Sequence, residues 1–311
     1  MSDHGSRALP PRAAAMQRFR AGPERPSAGR AALLALVVLF AAAGCTPTEQ
    51  SDDAEYAARM AAEHRGDQPV AAAAAAAGDA AELETAAVAY ASIDGGEVTG
   101  YLARPAGSGP LPGLLVIQEW WGLNDNMRAM ARRLAGEGYV ALAVDLYDGQ
   151  VAEDAETARR LMGEAMAREA WLEENLRQAR AYLVRETAAP RVGVIGWCFG
   201  GGWSLRAALS MPDGIEAAVI YYGRLIVEPE RLAPLRAPIL GIFGAEDRGI
   251  PVESVRAFES VLAELGRDVS IHVYDGADHA FANPSGTRYE PTAAEDAWQR
   301  TTSFFATHLR P

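Results

Sequence analysis

Short apolar runs alternate with amphipathic stretches between residues 88 and 309 of this 311-residue chain. Apolar runs bounded by Gly, Pro or Asp are typical of buried strands, and apolar residues recurring every three to four positions predict helices. The predicted strands span residues 88–93, 98–103, 113–118, 139–144, 191–195, 215–221, 238–243 and 269–274. The predicted helices span residues 124–137, 155–185, 199–210, 251–265 and 292–309. Strands that alternate with helices in this way predict an α/β fold, with a mostly parallel central sheet covered by helices on both faces.

The first 45 residues have the pattern of an export signal. Several arginines precede the apolar stretch 31–43, which is shorter than the ~20 residues of a spanning helix and is followed by Gly44 and Cys45. Residues 42–45 resemble the bacterial lipobox, which implies a lipidated Cys45 and an exported lipoprotein on the periplasmic or cell-surface side of a membrane. Ala42 departs from the usual leucine, so an ordinary secretory signal or an uncleaved anchor remains an alternative. Translation could start at Met1 or Met16.

Residues 46–86 are rich in Ala, Asp and Glu and contain few large apolar residues. Such a segment cannot form a core of its own, so we interpret it as a partly helical tether. The remaining residues, 87–311, are predicted to form one catalytic domain, which we take to be a monomer.

Composition excludes several classes of function. The formal charge is −12 for the whole chain and −16 for residues 45–311, which argues against nucleic-acid binding. The chain contains no lysine, so chemistry that needs a Schiff-base or phosphate-loop lysine is excluded. Cys45 and Cys198 are its two cysteines, too few for a disulfide framework or a clustered zinc site, and no metal is expected.

A candidate nucleophile follows the predicted strand 191–195. The segment Gly196-Trp197-Cys198-Phe199-Gly200 has glycines two residues before and after a cysteine, the pattern of a nucleophile elbow between a strand and a helix. The following helix directs its N-terminal dipole at the sulfur and favours the thiolate, the reactive form. A buried structural thiol is the alternative.

Two further loops supply the partners that a nucleophilic cysteine needs. In α/β-hydrolases the acid and the histidine follow the nucleophile in that order, each after a strand. Asp247 follows the predicted strand 238–243, and His279 follows 269–274. Glu246 and Asp278 compete with Asp247 as the carboxylate. The other histidines are set aside: His4 and His64 lie outside the predicted domain, His272 lies in a strand, and His308 lies near the end of the last helix.

An oxyanion hole needs two backbone N–H groups. One is expected from Phe199, directly after the nucleophile. The second is expected from Trp120, in the loop that follows the predicted strand 113–118.

Together these segments resemble the dienelactone hydrolase family of α/β-hydrolases over residues 88–310. The motifs that carry the resemblance are residues 118–124 (Q-E-W-W-G-L-N), Gly138-Tyr139-Val140, Asp145-Leu146-Tyr147 and the elbow 196–201, with the Asp247 and His279 loops. The resemblance implies hydrolysis of a small carboxylic ester or lactone without a cofactor. It also implies that Glu119 contacts the resting thiol and helps to generate the thiolate. From sequence alone, Glu119 could equally be a buried carboxylate that holds its loop.

One position departs from the family pattern. Members that cleave dienelactone hold the substrate carboxylate with arginines, one of them four residues after the catalytic histidine, where this chain has Asn283. Trp121 and Asn283 are predicted to line the substrate pocket. Trp120 and Trp121 predict an apolar, aromatic pocket mouth, although both tryptophans could be core residues. The sequence therefore predicts a less anionic ester. A non-catalytic ligand-binding lipoprotein on the same scaffold and a thiol peroxidase-like protein are the alternatives.

Overall fold

The computed structural model describes residues 47–67 and 82–310, and it describes side chains from residue 55 onward. The predicted signal peptide, the lipidation site Cys45 and the middle of the predicted tether lie outside the described residues. The strands are β1 Leu83–Ile93, β2 Gly96–Pro105, β3 Gly113–Ile117, β4 Val140–Ala143, β5 Val192–Trp197, β6 Ala217–Tyr221, β7 Ile239–Gly244 and β8 Val269–Tyr274. The helices are α1 Pro47–Glu63, α2 Asp125–Gly136, α3 Ala155–Met166, α4 Glu169–Glu186, α5 Phe199–Ser210, α6 Pro229–Leu232, α7 Val252–Glu264 and α8 Pro291–Leu309.

The eight strands form one sheet in the order β1-β2-β4-β3-β5-β6-β7-β8. The six strands from β4 to β8 in this order are parallel, whereas β2 runs antiparallel to both of its neighbours. All residues of β3, β5, β6 and β7 are buried, which explains their continuous apolar runs. The predicted α/β-hydrolase fold is confirmed.

Helices cover both faces of this sheet. A Cβ added at Gly113 would meet Leu183 of α4, whereas one added at Gly193 would meet Phe305 and Leu309 of α8. Gly193 is paired with Leu114, the residue after Gly113, so the two glycines face opposite sides of the sheet. The loops that carry Cys198, Asp247 and His279 lie at the carboxyl ends of the parallel strands β5, β7 and β8, where open α/β sheets bind ligands.

The predicted helix over residues 155–185 is wrong in one respect, because the structure contains two helices, α3 and α4. Arg168 separates them with φ −117° and ψ 45°, outside the helical region. Its guanidinium pairs with Asp148 and lies 4.5 Å from the ring centroid of Trp171. Neither Gly nor Pro marks this break in the sequence. The break between α3 and α4 coincides instead with the tertiary contacts of Arg168.

Among the described residues, no helix combines the length and apolarity that crossing a bilayer requires. Helix α1 belongs to the same compact unit as the sheet and packs against α3.

Candidate active site

Cys198 lies at the sharp turn between β5 and α5. Its backbone has φ 53°, a conformation that non-glycine residues adopt rarely and that costs about 1–3 kcal/mol. The turn brings backbone segments very close together: a Cβ at Gly196 would lie 2.1 Å from the carbonyl oxygen of Gly200. A Cβ at Gly200 would lie 2.4 Å from the carbonyl oxygen of Ile117 on β3. These contacts explain why the segment requires glycine at both positions.

His279 and Asp247 face Cys198 from the loops after β8 and β7. The Nδ1 of His279 lies 2.7 Å from Oδ2 of Asp247, and both side chains are fully buried. The other carboxylate oxygen of Asp247 accepts a hydrogen bond of 2.8 Å from the amide of Ile250. A ring nitrogen of His279 lies within 4.8 Å of the sulfur of Cys198. The structure thus brings together the three side chains that the order of the loops predicts.

The electrostatic environment favours a thiolate–imidazolium pair. Burial by itself would raise the pKa of the Cys198 thiol, but the nearby imidazoles of His279 and His64 outweigh it and lower the pKa to about 6. Burial lowers the pKa of His279, but the carboxylate of Asp247 and the thiolate together raise it well above its ordinary value. The sulfur and the imidazole therefore each stabilise the charged form of the other.

The two amides predicted for the oxyanion hole belong to neighbouring parts of the sheet. Phe199 begins α5, and Trp120 follows β3, which pairs with β5 along Ile117 and Gly196. Within residues 82–310, neither the Phe199 amide nor the Trp120 amide donates a hydrogen bond to a backbone carbonyl. Both are therefore available as donors.

Glu119 is buried, and its carboxylate is held by two neighbours. The side-chain amide of Asn283 donates to Oε2 at 2.5 Å, and the hydroxyl of Tyr222 donates to Oε1 at 3.4 Å. Burial, together with the negative charge of Cys198, raises the pKa of Glu119 to about 7. Asn283, predicted to line the substrate pocket, lies here as a buried support for Glu119 and also accepts from Asn126 at 3.2 Å.

Trp120 and Trp121 form an aromatic wall next to the site. Their ring centroids are 5.0 Å apart, and both side chains are almost completely buried. The imidazole of His64 stacks on Trp120 at a centroid distance of 4.3 Å. The aromatic pocket mouth stays a prediction, because both rings are buried and the imidazole of His64 covers Trp120.

We call residues 47–67 the N-terminal arm. Three of its side chains, Tyr56, Met60 and His64, are buried against the catalytic loops. The sulfur of Met60 lies 3.9 Å from the sulfur of Cys198, and Nε2 of His64 lies 3.8 Å from it. Cys198 itself is fully buried. The described part of the arm therefore lies over the nucleophile.

Residues after the His279 loop anchor the arm. Arg288 donates to Oδ2 of Asp67 at 2.9 Å and to the backbone oxygen of Glu63. Thr287 donates to the other carboxylate oxygen of Asp67 at 2.6 Å. Asp67 in turn lies 2.9 Å from Nδ1 of His64. Although burial opposes it, the hydrogen bond from His64 lowers the pKa of Asp67 to about 2, so this carboxylate is ionised.

Sequence reasoning missed the arm residues. His64 was placed outside the domain because the segment around it is rich in Ala and acidic residues. One signal could have found them: Tyr56, Met60 and His64 are four residues apart, so they lie on one face of a helix. That face is the one the structure buries.

Comparisons with known proteins show which family the chain is similar to. The family model described as the dienelactone hydrolase family matches residues 98–309. The chain is 34% identical to Protein usf of Aquifex pyrophilus, over 70% of this chain and 96% of that protein. It is 32% identical to an Aquifex aeolicus protein provisionally named carboxymethylenebutenolidase, over 70% of this chain and 96% of that protein.

Two crystal structures illustrate the structural similarity. One, provisionally titled dienelactone hydrolase, is from Klebsiella pneumoniae; it has a TM-score of 0.67 and 32% identity over 73% of this chain and 100% of that chain. The other is P91, titled a dienelactone hydrolase-like promiscuous phosphotriesterase from metagenomic libraries, with a TM-score of 0.66 and 26% identity over 73% of this chain and 98% of that chain.

Proposed function

The chain belongs to the dienelactone hydrolase family, and from that premise we propose that it hydrolyses uncharged esters or lactones through a thioester on Cys198. Family membership makes it an ester or lactone hydrolase. The observation that carries the finer proposal is the buried row formed by Cys198, His279 and Asp247. A nucleophile, a base and an orienting carboxylate in contact are the elements of acyl transfer.

In the first half of the reaction, the thiolate of Cys198 adds to the substrate carbonyl and forms the carbon–sulfur bond. The amides of Phe199 and Trp120 donate to the oxyanion that develops. The imidazolium of His279 gives its proton to the leaving alkoxide as the carbon–oxygen bond breaks. The products are the thioester and a free alcohol, or a tethered alcohol if the substrate is a lactone.

In the second half, neutral His279 removes a proton from water as the water oxygen adds to the thioester. The tetrahedral intermediate then expels the thiolate, which restores the thiolate–imidazolium pair and releases the carboxylic acid. Asp247 keeps the proton on Nδ1 of His279, so that Nε2 faces the reaction.

The substrate class follows from the walls of the site. Asn283 stands where an arginine would bind a carboxylate, and its amide is committed to Glu119. Trp120 and Trp121 supply apolar aromatic surface instead. We therefore propose that an acyl group without a carboxylate binds against these rings. We also propose that Glu119, a buried carboxylate that interacts electrostatically with Cys198, helps to generate the thiolate, as the family resemblance implies.

The arm must leave this position during turnover. Met60 and His64 occupy the space directly over the sulfur of Cys198, which an ester carbonyl has to reach. The reaction therefore includes an opening step in which the arm withdraws, comparable to lid opening in other hydrolytic enzymes.

We further propose export and lipidation at Cys45, supported by the signal pattern of residues 1–45. The test is metabolic labelling with a fatty acid. Incorporation that is lost in Cys45→Ser supports the proposal, and incorporation that persists in that variant, or none in the parent chain, contradicts it.

A series of p-nitrophenyl esters and lactones, each with and without a second carboxylate, tests the proposed hydrolysis. We expect turnover of the uncharged members by the parent protein, and loss of turnover in Cys198→Ala and His279→Ala. A preference for substrates with the carboxylate would contradict the proposed substrate class. Activity that survives in Cys198→Ala would contradict the thioester.

A further inference from the structure

Closure of the arm places two imidazoles and one thiol around a single buried point. A ring nitrogen of His64, the sulfur of Cys198 and a ring nitrogen of His279 lie within 4.8 Å of one another, and all three side chains are buried. His64 comes from the arm, whereas the other two come from the catalytic loops. The set is complete only when the arm is closed.

Each histidine is oriented by its own aspartate. Asp67 holds Nδ1 of His64 at 2.9 Å, and Asp247 holds Nδ1 of His279 at 2.7 Å. A proton on Nδ1 leaves the lone pair of Nε2 free, and Nε2 of His64 lies 3.8 Å from the sulfur. At His64 the shorter contact of Nδ1, with Asp67, favours this tautomer over the 3.1 Å contact with the Arg288 guanidinium. Nε2 of His279 is buried without a hydrogen-bond partner among the described residues. Carboxylates behind both imidazoles are the usual outer-shell support of histidine metal ligands.

We propose that His64, Cys198 and His279 form a binding site for a divalent transition metal ion of the zinc type, which holds the arm closed and inactivates the enzyme. Sulfur and imidazole nitrogen are the ligands that Zn²⁺ prefers, and three protein ligands leave its fourth position open. The absence of clustered cysteines does not exclude this site, because only one of its ligands is a cysteine.

The distances suit a tetrahedral ion. Zinc–nitrogen and zinc–sulfur bonds of about 2.0 and 2.3 Å at the tetrahedral angle separate such ligands by roughly 3.5 Å. The observed 3.8 Å between His64 and Cys198 is close to this value. The ligand atom of His279 lies within 4.8 Å of the other two.

The charges around the site also suit a dication. The thiolate formed on binding supplies one negative charge and Asp247 a second, whereas the charge of Asp67 is balanced by Arg288 at 2.9 Å. Binding forms one sulfur–metal bond and two nitrogen–metal bonds, and any proton on the sulfur of Cys198 or on Nε2 of His64 or His279 is released to buffer. The sulfur lone pair is then committed to the metal, so the nucleophile is blocked.

Cobalt titration tests the site without a substrate. The protein is the full chain carrying Cys45→Ser, which is first treated with chelator and reductant. We expect one Co²⁺ per chain by equilibrium dialysis, with a sulfur-to-cobalt charge-transfer band that is absent in Cys198→Ala. Added Zn²⁺ should displace the bound Co²⁺ and abolish this band. The absence of this band, or a band that persists in Cys198→Ala, would overturn the proposal. Because no turnover is measured, the result is independent of the proposed hydrolysis.

Two variants distinguish metal binding by all three ligands from metal binding by Cys198 and His279 alone. We expect His64→Ala to weaken metal affinity at least tenfold, and Asp67→Asn, which keeps the side-chain shape, to weaken it about 10–100-fold. The matched control is His272→Ala, on β8, where the imidazole contacts Ser270 at 3.1 Å. Equal affinity in His64→Ala, Asp67→Asn and the parent would overturn the role of the arm.

Trypsin cleavage tests the closure directly. Arg59 and Arg65 are exposed on the arm and provide cleavage sites. Zn²⁺ should slow cleavage at both sites in the parent protein and leave the rate unchanged in His64→Ala. Cleavage that is equally fast with and without Zn²⁺ in the parent protein would show that the metal does not hold the arm.

Discussion

At the scale of single residues, the chemistry depends on the environment of one sulfur. An ordinary cysteine thiol has a pKa near ~8.5 and is mostly protonated at neutral pH. Here two imidazoles overcome the effect of burial and lower the pKa of Cys198 to about 6. The thiolate is therefore present at neutral pH and is lost as the pH falls through this value.

The thiolate absorbance of Cys198 gives a first prediction. In a Cys45→Ser background, the difference in ultraviolet absorbance between the parent and Cys198→Ser should appear with a midpoint near pH 6. His279→Gln should move the midpoint upward, because it removes the neighbouring cation. A midpoint near that of a free thiol in the parent protein would contradict the ion pair.

The role of Asp247 gives a second prediction. Asp247→Asn removes the charge that orients and stabilises protonated His279, so kcat/KM for an uncharged ester should fall about 10²–10⁴-fold. Glu246→Gln is the matched control, since Glu246 is the adjacent exposed carboxylate. Equal losses in the two variants would contradict a specific role for Asp247.

Much of the site could be predicted at this scale because its signals are local. The elbow around Cys198 is a contiguous motif, and Asp247 and His279 follow strands in a known order. The buried position of His64 could not be predicted in the same way. Its partners, Trp120 and Arg288, lie in distant segments, and no local motif links them to the arm.

At the scale of elements, the elbow depends on close backbone packing. Gly196→Ala should lower the free energy of unfolding by about 1–3 kcal/mol or more, because the new Cβ would lie 2.1 Å from a carbonyl oxygen. Gly163→Ala in α3 is the control, since no atom lies within 4 Å of its Cβ position, and it should raise stability by about 0.5–1 kcal/mol. Urea unfolding measures both changes, and similar effects in the two variants would contradict the account of the elbow.

The anchoring of the arm gives an element-scale prediction of its own. Arg288→Ala removes charge-assisted hydrogen bonds to Asp67 and Glu63, so the open state should become more populated. Alkylation of Cys198 by iodoacetamide should be about tenfold faster, since such bonds contribute about 1.5–3 kcal/mol. Arg300→Ala, which breaks an ion pair with Asp296 within α8, should leave the rate unchanged. An unchanged rate in Arg288→Ala would show that the arm does not limit access.

Elements with strong periodicity were predicted well, and the exceptions have physical causes. The buried strands β3, β5, β6 and β7 follow from their continuous apolar runs. The break between α3 and α4 depends on contacts of Arg168 with other elements, which the local sequence does not encode. The arm has too few apolar residues to be recognised as part of the core by composition.

At the scale of the whole molecule, the sheet brings distant loops to one edge. Parallel strands β3, β5, β7 and β8 each end beside the site and deliver Trp120, Cys198, Asp247 and His279. The arm then covers this edge from a separate part of the chain. The molecule therefore combines the buried group Cys198, His279 and Asp247 with an arm that covers the sulfur. Under the proposed mechanism, the arm must move away from Cys198 during turnover.

The acyl-enzyme tests the central claim most directly. The Cys45→Ser protein is mixed rapidly with p-nitrophenyl acetate, quenched in acid, digested and analysed by mass spectrometry. The account predicts an acetyl group on the peptide that contains Cys198, formed at the rate of the p-nitrophenol burst and absent in Cys198→Ala. Acetylation of a different residue during turnover, or undiminished turnover in Cys198→Ala, would contradict it.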